Sequence, residues 1–145
     1  MRILLYLLIT AIFLSGYKPA KPQIAKIDFE AGACYGTCPI FKMTIAKDGT
    51  AKYEAEKFNK QEGQFTAIIK TLQFDSLTSL IEKADVFSLN YSYTIPVTDH
   101  PTYYLTVALT NGKTKSIKDY GPSGPDKLKK IYRLIFSLRE TQDWK

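Results

Sequence analysis

Cysteine, histidine and tryptophan are scarce here: two, one and one in 145 residues. Two cysteines and one histidine cannot make the ligand quartet of a structural zinc site. A Ser/His/Asp triad would have to use His100, and no nucleophile elbow accompanies it. The chain also lacks a phosphate loop, a calcium loop, internal repeats and low-complexity segments. Its longest apolar run, Ile3 to Leu14, is shorter than the ~20 residues a helix needs to span a bilayer.

That run has a different reading. Arg2 precedes it and Ser15-Gly16-Tyr17 follows it. A positive start, an apolar middle and small residues at the end predict a secretory signal peptide over residues 1–16. Cleavage is expected after Gly16, with Ala20 as a second candidate site. Leu14-Ser15-Gly16 resembles the start of a lipobox, but Tyr17 stands where the lipid-bearing cysteine belongs. The expectation is therefore an exported protein, periplasmic or secreted. It would not be a lipoprotein, and would not span the membrane once the signal is removed.

Residues 17–23 form a Pro/Lys-rich spacer, and residues 24–145 make one domain of about 120 residues. With 45% hydrophobic and 23% charged residues, the composition is globular rather than disordered. The net charge is +6, and Lys127, Lys129, Lys130 and Arg133 cluster late in the chain. Such a cluster could meet anionic lipid, polysaccharide or nucleic acid. A solvated helix face explains it more simply, and an exported protein rarely meets nucleic acid, so none is expected as a partner.

Periodicity gives the elements. Residues 24–30 read as a first strand through Ile27 and Phe29. Phe41, Met43 and Ile45 alternate with polar neighbours, as do Ala51, Tyr53 and Ala55, around a two-residue turn at Asp48-Gly49. Phe65, Ala67 and Ile69 mark a fourth strand. The period then becomes helical over residues 73–84, through Phe74, Leu77, Leu80, Ile81 and Ala84. A long connection over residues 88–101 is of the length that is often functional or mobile. A second hairpin turns at Asn111-Gly112 and returns to Tyr120. Pro125 suits the first turn of a last helix, striped by Leu128, Ile131, Tyr132, Ile135 and Leu138. Trp144 is expected to pack near its end. The fold class is α+β: a mostly antiparallel sheet of about five to six strands, with two helices on one face.

Chemistry concentrates in Cys34-Tyr35-Gly36-Thr37-Cys38-Pro39. Three readings compete. A structural disulfide fits an exported compartment, and Gly36 can take the angles of a tight ring. Loop-entropy arithmetic gives so short a ring about 2 kcal/mol, so it would shape the loop more than hold the domain. A soft-metal site would use both thiols and His100, because thiolate and imidazole suit Cu(I). Thiol–disulfide exchange is the third, but a helix normally follows an activated cysteine, and here Pro39 leads into a strand.

Asp99 and Asp119 could form an acid–base pair, although aspartates at turns and strand ends usually bond nearby backbone. Tyr91, Tyr93, Tyr103 and Tyr104 sit in and beside the long connection, and tyrosine suits contact surfaces. The candidate functional residues are thus Gly36, Pro39, Tyr91, Tyr93, Asp99, His100, Asp119 and Tyr120, beside the Cys34–Cys38 pair. No cofactor is expected. The favoured function is a non-catalytic binding module for a protein, a glycan or another envelope component. Redox activity or copper binding is the alternative.

Several pieces recur in one order: the Cys-x-Gly-Thr-Cys-Pro motif, the Asp-Gly hairpin, and residues 83–89 reading Lys-Ala-Asp-Val-Phe-Ser-Leu. Thr98-Asp99 with Pro101, Asp119-Tyr120-Gly121 and Trp144 complete the set. Together they resemble a family of uncharacterised bacterial exported domains, over roughly residues 24–144. The resemblance implies fold and compartment but no reaction. Two departures stand out. Ala55 occupies a position where that family often has glycine, and the lipid-attachment cysteine of many members is missing. His100 is not part of the pattern.

Overall fold

A computed structural model describes residues 20–145. The signal-peptide expectation and the first three residues of the spacer, 17–19, lie outside the described residues. Seven strands form one sheet: β1 (Ile24–Ala31), β2 (Ile40–Ala46), β3 (Thr50–Lys57), β4 (Gly63–Ile68), β5 (Ser92–Tyr93), β6 (Thr102–Leu109) and β7 (Thr114–Tyr120). Two helices complete the fold, α1 (Thr71–Ala84) and α2 (Asp126–Thr141), with a short 3-10 turn at Val86–Ser88. The architecture is α+β, as the periodicity predicts, with one or two strands more.

The sheet order is β4-β3-β2-β1-β6-β7-β5. Every neighbouring pair is antiparallel except β5 with β7. β5 escapes periodicity because two residues are too few to show one. Ser92 and Tyr93 pair with Lys118 and Asp119. At the opposite edge, Lys145 exchanges both main-chain hydrogen bonds with Thr66 of β4, at 3.0 and 2.8 Å.

Alternation decides which face is buried. Phe29, Phe41, Met43, Ile45, Ala51, Tyr53, Leu105, Val107 and Ile117 point to the helices. A register shift between Ile24 and Lys26 lets Ile24 and Ile27, three residues apart, both face inward. From α1 come Leu77, Ile81 and Ala84. Leu128, Ile131, Tyr132, Ile135 and Leu138 come from α2. All belong to one core. The other face carries Asp28, Thr44, Lys52, Thr106 and Ser116, the polar pattern of a sheet open to water on one side.

The first hairpin differs from the two-residue turn expected at Asp48-Gly49, and the second has the same form. Gly49 N–H donates to Ala46 O, and Gly112 N–H donates to Leu109 O, both at 2.9 Å. Each turn is followed by its glycine in the left-handed region, with φ of 82° and 85°. The loops are therefore three residues long, a type I turn plus a left-handed glycine. Asp48 and Asn111 each accept the N–H two residues ahead, from Thr50 and Lys113. That side-chain bond favours the ordinary turn over its mirror image.

The helix ends are tied to each other. The Lys70 N–H at the start of α1 donates to Gln142 just beyond α2, at 2.9 Å. Trp144 packs on Tyr53, ring centroids 5.0 Å apart, and its indole N–H donates to Leu138 O.

Candidate functional site

Antiparallel pairing carries three of the motifs, the cysteine loop, Thr98-Asp99 with Pro101 and Asp119-Tyr120-Gly121, to one end of the sheet. β1 and β2 are joined through the cysteine loop, β6 starts there, and β7 finishes there. Main-chain bonds then lock these loops together. Gly32 N–H donates to Thr102 O at 2.9 Å, Tyr35 N–H to Asp99 O at 3.2 Å, and Gly121 N–H to Pro101 O at 3.0 Å. Cys34, Gly36, Cys38, Pro39, Asp99, His100, Asp119 and Tyr120 thus share one end of the fold.

Cys34 and Cys38 form a disulfide, with Cα atoms 5.8 Å apart. Pro39 leads straight into β2, so no helix terminus faces either sulfur. Gly36 sits at φ 150° inside the ring, and Tyr35 beside it is 88% exposed. Asp99 takes a positive φ of 70°, which aspartate tolerates better than most residues, and its carboxylate accepts from Thr98 Oγ1. His100 lies edge-on to Tyr120, ring centroids 6.5 Å apart, and its N–H donates to the Tyr120 hydroxyl at 3.4 Å. Among the described residues, no group of three or more His, Cys, Asp or Glu side chains is placed to hold a metal.

Asp119 is completely buried. Its Oδ1 accepts from Ser123 N–H at 2.8 Å, Ser123 Oγ at 3.3 Å and Gly124 N–H at 3.1 Å. The side chain therefore holds the 121–124 turn closed from below. A Cβ at Gly124 would stand 2.8 Å from Asp119 Oδ2 and 2.8 Å from Leu128 Cδ2. Only glycine lets the backbone come this close. Asp99 is exposed, bonded to its own neighbour, and Asp119 is sealed, so their environments differ completely.

Tyr132 lies beneath that turn, 3% exposed, and its hydroxyl makes no hydrogen bond within 3.5 Å, its contact with the Asp119 carboxylate being a long one. Burial first, and then the nearby Asp119 carboxylate, push this hydroxyl far above the ordinary tyrosine range. Burial also raises Tyr53 and Tyr103. Unfolded tyrosine loses its proton near 10.0. Stability is thus complete below that pH and falls as pH rises above it, because the folded state holds its phenolic protons longer. We expect Tyr132→Phe to stay within about 1 kcal/mol of wild type, because the cost of burying the hydroxyl and its long Asp119 contact offset each other. The same variant should lose less stability between pH 9 and pH 11 in urea titrations. A loss well above that range, or an unchanged pH dependence, would contradict this expectation.

The four candidate tyrosines do not share one surface. Tyr103 faces the helices, while Tyr104, next in the strand, is exposed on the opposite face. Tyr93 is half-buried, and its hydroxyl accepts Asn90 N–H at 3.1 Å. Tyr91 is largely exposed, with Lys115 Nζ 3.4 Å from its ring centroid. Lys115 is 4% exposed and also donates to Leu89 O. The first half of the long connection is therefore pinned, with Lys118 N–H donating to Tyr91 O at 2.9 Å. Sequence reading singled out neither Lys115 nor Tyr35. A lysine in phase with Ile117 and Asp119 on an alternating strand is the signal that could have found the first.

The basic cluster of α2 also divides. Lys127, Lys130 and Arg133 are exposed, while Lys129 is half-buried and lies 3.5 Å from Asp126.

The chain matches, over residues 25–139, the family described as Domain of unknown function (DUF6438). No curated protein matches it.

Proposed function

Because the chain belongs to the DUF6438 family, whose description names no reaction, we propose a function from its own residues: a non-catalytic binding module. The partner is a protein, a glycan or another envelope component, and it meets the loop end of the sheet. The observation that carries this reading is the locking of three loops by the Tyr35–Asp99, Gly32–Thr102 and Gly121–Pro101 main-chain bonds. Loops held in one geometry lose little conformational entropy on binding. The disulfide supports the same role, since it fixes the exposed ring that presents Tyr35.

Two sulfurs bonded to each other at the start of a strand give no support to an activated thiol. The disulfide fits an exported compartment. No helix among the described residues is long and apolar enough to cross a membrane.

The test uses the native protein as bait on an envelope extract of its source cells, with Tyr35→Ala and Tyr104→Ala in parallel. Tyr35 is exposed at the loop end, and Tyr104 is exposed on the open sheet face. Melting temperatures should stay within ~1–2 °C of wild type for Tyr35→Ala, because an exposed side chain leaves no cavity. Capture should fall at least ~10-fold for Tyr35→Ala, the equivalent of one lost contact of about 1.4 kcal/mol. It should persist for Tyr104→Ala. Loss in Tyr104→Ala with retention in Tyr35→Ala would move the binding surface off the loop end.

A further inference from the structure

Beside the 121–124 turn, an open, groove-like cavity of about 390 Å³ lies on the helix side of the sheet. Its wall is made by Tyr103, Pro122, Tyr132 and Phe136, and two cations, Lys129 and Arg133, stand on it. The aromatic part is prepacked. Tyr103 lies 5.3 Å from Tyr132 and 5.3 Å from Phe136 between ring centroids. Tyr103 and Phe136 are only partly buried, so both reach the cavity surface. Lys129 and Arg133 are four residues apart on α2, one helical turn, and so flank the same opening. No carboxylate lines the cavity.

Each part selects something. Volume of this order suits a small molecule of one or two rings. Aromatic faces carry negative potential and attract the C–H groups of a flat ring. Arg133 has no carboxylate partner among the described residues. Lys129 is satisfied only by Asp126, itself almost fully exposed, and such pairs are weak and easily exchanged. Guanidinium and carboxylate form paired, charge-assisted bonds. The basic cluster noted in the sequence therefore splits into two lysines facing water and two cations facing a cavity.

We propose that this cavity binds a six-membered ring bearing a carboxylate, supplied either by an acidic sugar residue or by an aromatic carboxylate. The ring packs on Tyr103 and Phe136, and the carboxylate is held by Arg133 with Lys129 beside it. This goes beyond the loop-end reading, because it assigns a small ligand to the helix side of the sheet, where the locked loops contribute only Pro122.

The test is a ¹H–¹⁵N NMR titration of the exported chain with galacturonate, benzoate, galactose and inorganic phosphate. We expect saturable shifts around Lys129, Arg133 and Phe136 with galacturonate or benzoate; which of the two binds tighter identifies the source. Galactose, lacking charge, and phosphate, lacking a ring, should each bind at least ~10-fold more weakly, the factor for losing one such interaction. Arg133→Gln should weaken the acidic ligand at least ~10-fold with an unchanged spectrum elsewhere, since Arg133 is exposed. Equal affinity for galactose would overturn the charge reading. Equal affinity for phosphate would overturn the ring reading. No shift at the cavity with any acid would overturn the proposal outright. Tyr35→Ala should leave these titrations unchanged. If the cavity stays silent while Tyr35→Ala still abolishes partner capture, only the cavity proposal falls.

Discussion

Asp119→Ala is expected to lower the unfolding free energy by about 3 kcal/mol, the upper range for a hydrogen-bonded buried charge. The carboxylate is fully buried and serves three donors of Ser123 and Gly124. Alanine would leave two backbone N–H groups without an acceptor where water has poor access. Asp119→Asn should recover part of the loss. One amide oxygen can still take the turn N–H groups of Ser123 and Gly124. Urea unfolding at neutral pH gives the energies. Hydrogen exchange provides an independent readout, since Ser123 and Gly124 should lose protection before the core does. A loss below ~1 kcal/mol, within the range of ordinary surface changes, would mean that the turn closes without this carboxylate.

Phe29→Ala should cost about 4 kcal/mol, the value for emptying an aromatic site in a core that relaxes only partly. Phe29 is 2% exposed. Four rings surround it, with centroids at 5.6 Å (Phe41), 5.5 Å (Tyr103), 5.5 Å (Tyr132) and 5.8 Å (Phe136). Their tilted and edge-on arrangement adds to simple burial. Phe29→Leu should cost less, about 1–2 kcal/mol, because most of the volume stays. Three of the four neighbours also line the cavity by α2, so Phe29→Ala should weaken any ligand there as well. Calorimetry of both variants checks the energies. Similar melting temperatures for Phe29→Leu and Phe29→Ala would show that the ring itself contributes little.

Much of this was legible in the chain because the sheet has one wet face. Alternation at Phe41, Met43 and Ile45 is visible only when the other side chains meet water. The helices announced themselves through stripes such as Leu128, Ile131, Tyr132 and Ile135. β5 was not legible, because its two residues are strand only by bonding to β7. The length of the first hairpin departs from expectation, because Asp-Gly serves both turn types and the local Asp48 bond decides between them.

At the site, three of the ordered motifs fall at one end of the sheet, while the Asp48-Gly49 turn lies at the other. Sequence could not show how they divide the work. Asp119 and Asp99 look alike in the chain, yet one is sealed under a turn and the other is exposed. Tyr103 and Tyr104 are neighbours in sequence and lie on opposite faces, the unavoidable result of a two-residue period.

The two sheet edges carry a consequence for assembly. β4 has its ladder partly occupied by Lys145, and β5 is only two residues long. Among the described residues, Lys145 interrupts the edge of β4 at Thr66 and β5 interrupts that of β7 at Lys118 and Asp119, so each edge is a broken template for strands from other molecules. Specificity for the proposed partner would then come from side chains, so single substitutions should abolish recognition and leave the fold intact. The same two edges should let the protein be concentrated without forming strand-swapped aggregates.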